Sequence, residues 1–228
     1  MQTLCYIVKC ICLTESRRFV DHRSRNFKAW DEGVWSGGGV NDVPKEDCPH
    51  CLNRGGVLAQ CGVDGGRSYD VPLNVFGDLL APQPEATYQR GQEIDLDVVL
   101  TAHHKGHFEF YACPIVPGEA PTADCFHSHP LEFVADLLYG APKDPNYPSR
   151  AYIAPSSYSG IVNDNTGVSG ILYRFRMKLP DTAVGDLVLI QWHYLTANSC
   201  QFPGYNVYNW PADWPVQNQL ALCGDLVS

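Results

Sequence analysis

The segment "ILYRFRMKL", residues 171–179, decides the fold. Successive side chains of an extended strand point to opposite faces, so Ile171, Tyr173, Phe175, Met177 and Leu179 share one side and Leu172, Arg174, Arg176 and Lys178 the other. That is a half-buried strand. Across the turn "PDTAVG" (180–185), "DLVLIQWHYLTA" (186–197) is more continuously apolar, as a central sandwich strand would be, with Trp192 near the core. Upstream, "EIDLDVVLTA" (93–102) alternates Ile94, Leu96 and Val98 with acids, and "HFEFYAC" (107–113) carries Phe108 and Phe110 on one side. Lys105-Gly106 is the tight connection between them. Only "PLEFVADLLYG" (130–140) reads as a short helix. Strands joined by turns, without alternating helical stretches, predict an all-β, antiparallel β-sandwich.

Composition agrees. The 228 residues include 17 prolines, 20 glycines and 12 tyrosines, the mixture of short strands and many turns. From Arg17 to Gly91 the chain is rich in glycine and turn residues and predicts loops with short strands, where a rigid domain often carries its binding surface. A net charge of −9, with 16 basic against 25 acidic residues, argues against nucleic acid as a partner, because phosphate binding rests on Lys and Arg. No stretch approaches the roughly 18 apolar residues of a membrane span. Ten cysteines point to an oxidising, extracellular compartment and a disulfide framework. Residues 1–16 read as a poorly defined leader, since the apolar run is interrupted by Lys9 and lacks a small-residue cleavage site. Beyond it remain Cys48, Cys51, Cys61, Cys113, Cys125, Cys200 and Cys223, an odd number of disulfide candidates.

Two motifs bear on chemistry. "CPHC" (48–51) has the spacing of a thiol oxidant or half a zinc site. It lacks the βαβ surroundings of the first and the second ligand pair of the second, so structural disulfides are the preferred reading. Cys113 and Cys125 flank one short loop and are expected to pair. His103, His104 and His107 in "TAHHKGHFEFYACP" (101–114) are either polar residues flanking a turn or imidazole ligands held at a strand end. Periodicity does not choose between the two.

Five segments, in order, carry a resemblance: "SRNFKAW" (24–30), "CPHCLNRGG" (48–56), "TAHHKGHFEFYACP" (101–114), "DPNYPSRAY" (144–152) and "KLPDTAVGDLVLIQWHYLTANSCQFPGY" (178–205). Together they resemble the chitin-binding type-4 family, the copper-dependent lytic polysaccharide monooxygenases. The resemblance runs from about Ser24 to Cys223. It implies an immunoglobulin- or fibronectin-III-like sandwich with long loops forming a flat face over residues 17–228. It also implies a copper ion in a histidine brace, in which an N-terminal histidine supplies amino group and ring and the histidine of the Ala-x-His motif supplies the third nitrogen. The matching residue is His104, with Ala102 and Gln191 as candidates to support it; His103 and His107 revert to flanking residues. Tyr205, Tyr208, Trp210 and Trp214 are the candidates for stacking on sugar rings. The implied activity is oxidative cleavage of glycosidic bonds in chitin, cellulose or a related insoluble glycan, by a secreted monomer fed by an external electron donor.

Two features depart from the family pattern. No histidine stands near Ser16 and Arg17, where the first mature residue is expected, and the segment carrying the axial aromatic and an eighth cysteine is expected beyond "LALCG". The expectation is therefore a domain incomplete at both ends, binding copper weakly as written. A carbohydrate-binding module that has lost the copper site is the alternative, and a purely structural cysteine-rich protein is a third reading.

Overall fold

The computed structural model describes residues 4–11 and 60–214, apart from 62, 65, 66, 75, 83, 101, 158–160, 164–168 and 199. The strand at the centre of the sequence argument, β10 (Ser169–Lys178), pairs antiparallel with β5 (Glu93–Leu100) and β7 (Glu132–Asp136), and β9 (Ile161–Asn163) adds to its start. The second sheet has the order β4 (Ala86–Gln89), β1 (Leu4–Ile11), β11 (Val188–Leu195), β6 (His107–Pro114) and β8 (Ala151–Tyr152). Two short strands, β2 (Val63–Asp64) and β3 (Arg67–Ser68), pair with each other.

The alternation in β10 is what packs the sheets together. Tyr173, Phe175 and Met177 are fully buried and face the core, while Lys178 is exposed and Arg174 and Arg176 are half-buried. From the other sheet Phe108 meets the rings of Tyr173 and Phe175 edge-on, at 5.7 and 5.8 Å. Trp192 joins them at 5.0 Å from Phe108 and is fully buried, as its place in a central strand predicts. The protein is a two-sheet β-sandwich, antiparallel except where β1 runs parallel to β11.

One expectation is corrected. Residues 130–140 are not a helix: Glu132–Asp136 forms β7, because the open edge of β10 offers a ladder of backbone partners and Phe133 reaches the core by strand alternation. The Asp136 carboxylate then accepts the N–H groups of Leu138, Tyr139 and Ala141 and turns the chain, leaving Leu137 and Leu138 outside. Leu4–Ile11, within the segment read as a leader, pairs as β1 between β4 and β11. A short helix, α1 (Ala123–His127), is capped by the Thr122 side chain, which accepts the Cys125 N–H. It closes the loop stapled by the Cys113–Cys125 disulfide, with Cα atoms 5.4 Å apart.

Candidate functional site

The three histidines sit where β5 gives way to β6. The connection is tight because Lys105 and Gly106 both adopt left-handed backbone, with φ of 56° and 93°. Gly106 is required there: a Cβ would stand 1.9 Å from the Leu195 carbonyl oxygen.

This turn gives each histidine a different environment. His103 Nε2 lies 2.9 Å from the Ala154 carbonyl, and its Nδ1 accepts the Lys105 N–H at 3.2 Å. Both ring nitrogens are thereby committed, with the proton on Nε2, and burial lowers the ring's proton affinity. His107 is fully buried, its Nδ1 2.5 Å from the Tyr205 hydroxyl. Burial pushes its imidazole down to about 4, so it is neutral at neutral pH. His104 differs from both. It is half-buried, and no hydrogen bond of its ring occurs among the described residues. Its backbone, by contrast, is held on both sides: the N–H donates to the Tyr194 hydroxyl at 2.8 Å and the carbonyl accepts the Ala197 N–H at 3.0 Å. The Tyr194 hydroxyl in turn donates to the Lys105 carbonyl at 2.8 Å.

Other candidates from the sequence lie elsewhere. Gln191 is on the outer face of β11, where its amide donates to the Gln60 carbonyl at 2.8 Å. Four residues of strand, about 13 Å, separate it from Leu195 at the turn, so it does not support His104. Ala102 stands at the bend leading into the turn. Tyr205, Tyr208 and Trp214 do not form an open stacking face. They are 0, 7 and 4% exposed, because the segment carrying them folds back onto β8, where Tyr208 stacks on Tyr152 with ring centres 3.7 Å apart. The Tyr208 hydroxyl donates to the Pro142 carbonyl there. Trp210 is half-buried and donates through Nε1 to the Tyr205 carbonyl at 2.9 Å. Besides Cys113 and Cys125, Cys61 and Cys200 are disulfide-bonded. Cys48, Cys51 and Cys223 lie outside the described residues.

Beside His107 is a cluster that the sequence reading passed over. Glu109 Oε1 lies 3.4 Å from His107 Nε2 and 3.8 Å from Arg150 Nε, and its other oxygen accepts the Tyr111 hydroxyl. Burial alone would raise the Glu109 carboxyl, but His107 and the Tyr111 hydrogen bond outweigh it and hold the group down to about 2. Arg150 also donates to the Pro203 carbonyl at 2.7 Å and lies 3.6 Å over the Tyr147 ring. These contacts lock the 201–205 segment against β6. The signal in the sequence is the polar, odd-numbered set His107, Glu109 and Tyr111.

As a ligand for a soft-to-borderline metal such as copper, His104 fits: an imidazole with both nitrogens free, on a rigid turn and partly open to solvent. Among the described residues no three His, Cys, Asp or Glu side chains gather as a metal site.

Comparison with known proteins identifies a family. The sequence profile of the family described as lytic polysaccharide mono-oxygenase, cellulose-degrading, matches residues 18–225. No curated protein matches. Among solved structures, a lytic polysaccharide monooxygenase AA15 from Thermobia domestica in the Cu(I) state is 26% identical, with a TM-score of 0.35. The match covers 50% of this chain and 47% of that one, so it spans about half the length of either protein. Because the profile takes in nearly all of the 228 residues, and with them the histidine turn and the strand that clamps it, the chain belongs to the lytic polysaccharide mono-oxygenase family.

Proposed function

We propose that this protein binds an insoluble polysaccharide, chitin, cellulose or a related glycan, and cleaves its glycosidic bonds oxidatively with copper, His104 supplying one metal-binding nitrogen. The observation that carries the reading is the contrast within the turn. Of the three histidines on this turn, His103 commits both ring nitrogens and His107 its Nδ1 to hydrogen bonds, while among the described residues the His104 ring commits neither. Bound copper would supply redox chemistry toward dioxygen or hydrogen peroxide. The chain's own residues supply the setting. The rigid turn holds the imidazole in place, and burial keeps His107 neutral beside it. Trp210 is the one aromatic of the original four with surface left to offer a sugar ring. Secretion, a monomeric state and an external electron donor complete the proposal; none of the described helices is long and apolar enough to cross a membrane.

Two measurements test it together. Calorimetry should show His104→Ala lowering Cu(II) affinity at least about tenfold, the loss of one good ligand contact. Mass spectrometry should find oxidised oligosaccharides released from chitin or cellulose in the presence of a reductant, and none from the variant. Unchanged affinity in the variant would sink the assignment of His104. Retention on polysaccharide with no oxidised product from the unaltered chain would instead establish a binding module.

A further inference from the structure

We infer that Tyr194 is the positioning residue for His104, and that its hydroxyl, rather than its ring, sets the direction in which the imidazole leaves the turn. The inference rests on reading His104 as a metal ligand. The two residues are 90 positions apart in sequence and meet because β6 and β11 are paired with His107 opposite Leu195. One hydroxyl oxygen then performs two tasks, accepting the His104 N–H and donating to the Lys105 carbonyl, each at 2.8 Å. Three residues further on, the Ala197 N–H donates to the His104 carbonyl, so one strand end grips both peptide groups of His104. The peptide on the far side cannot relax freely, since Lys105 is a non-glycine residue in left-handed backbone and Gly106 is pressed against Leu195.

A phenol hydroxyl reaching out from the core does both. Tyr194 is 5% exposed, its ring packed edge-on against Phe108 at 5.0 Å and stacked on Trp192. A phenylalanine would keep that packing and lose both hydrogen bonds, leaving the Lys105 carbonyl and the His104 N–H unmatched. The hydroxyl thus links the Ala-x-His motif to the end of β11.

The test compares Tyr194→Phe with Tyr139→Phe in the full chain. Tyr139 also donates a hydroxyl hydrogen bond, to the Leu172 carbonyl at 2.8 Å, but on the other sheet. Without metal, amide hydrogen exchange at His104 should rise about tenfold or more in Tyr194→Phe, the scale of one lost hydrogen bond, and stay at the parent rate in Tyr139→Phe. With Cu(II), Tyr194→Phe should weaken binding about tenfold and change the electron paramagnetic resonance spectrum, a signature that stability alone does not move. Parent-like exchange and spectrum in Tyr194→Phe, or equal shifts in Tyr139→Phe, overturn the inference. If His104→Ala leaves Cu(II) affinity intact, the metal reading fails, and the metal-free exchange still decides what Tyr194 does. Should Tyr194→Phe not fold, exchange in the unaltered chain decides: protection of the His104 and Ala197 amides by about a hundredfold over an unstructured peptide upholds the clamp, and its absence removes it.

Discussion

The β5–β10 ribbon and the β6–β11 ribbon present the same pattern in sequence and opposite conditions in space. Each sends apolar side chains inward and polar ones outward. On β10 the outward residues meet solvent: Arg176 pairs with Asp95 at 2.7 Å, both about 40% exposed, and Arg174 forks onto Asp97 one step along. On β6 and β11 the outward residues meet more protein. His107 is fully buried, Gln191 is 5% exposed, and Glu109 is 14% exposed at its side chain beside Arg150 at 9%. Alternation tells which residues share a face. Whether that face is wet is a separate property, set by segments distant in sequence, and it decides whether charges act singly or as a unit.

The comparison breaks most readily at Glu109. Removing its carboxylate strands Arg150, the Tyr111 hydroxyl and His107 in a buried site, so Glu109→Ala should cost about 4 kcal/mol in denaturant unfolding, the usual penalty for orphaning a buried charge. A loss below about 1 kcal/mol, the value of an exposed pair, would mean that this face behaves like the outer face of β10.

Acid sharpens the contrast. The folded-state value of His107, about 4, lies below its ordinary 6.5. Between those values the unfolded chain binds a proton that the folded chain refuses, so this contribution is whole above about pH 6.5 and is lost as pH falls toward 4. The expected loss is about 3 kcal/mol. Burial depresses His193 in the same direction, so a smaller slope should survive in His107→Gln. A melting profile in which His107→Gln and the parent have the same slope from pH 6.5 to 4 would show that His107 is not held neutral by burial.

The same distinction explains what the sequence made legible. The sandwich, the buried side of β10, Trp192 and the tight Lys105-Gly106 connection follow from period-two patterning and turn chemistry, which are local. The strand at 132–136 was misread because "PLEFVADLLYG" suits a short helix by local pattern; the free edge of β10 and the Asp136 turn decide otherwise. At the candidate site, His104 could be singled out only by family resemblance. What distinguishes it from His103 and His107 is the engagement of ring nitrogens with Ala154 and Tyr205, 51 and 98 residues away. The burial of Tyr205, Tyr208 and Trp214, expected as an open stacking face, was illegible for a related reason, because an aromatic-rich loop reads alike whether it faces a ligand or folds onto Tyr152.

On the wet side of the comparison, Arg174 occupies a middle position. Its guanidinium is 41% exposed, but the Asp97 carboxylate beneath it is 3% exposed and receives two hydrogen bonds, at 2.7 and 2.6 Å. Arg174→Ala should therefore cost about 2 kcal/mol, the scale of hydrogen bonds to a charged group, and Asp97→Asn in the same background should recover part of it. No recovery would mean that the cost lies in lost packing of the arginine stem rather than in the stranded carboxylate.

The smallest effect is expected at Arg176. Its geometry with Asp95 is nearly that of the neighbouring pair, two parallel contacts at 2.7 and 3.0 Å, so contact distance alone would rank the two together. Exposure separates them. With both partners open to water, removing one leaves the other hydrated rather than buried, and the net gain from pairing is small because ordering two side chains offsets it. Arg176→Ala should shift the melting temperature by no more than about 2 °C, and 0.5 M salt should remove most of that shift by screening. Arg174→Ala should keep most of its effect under the same salt. Equal effects at the two arginines, or equal sensitivity to salt, would show that burial of one carboxylate does not distinguish adjacent rungs of this ladder.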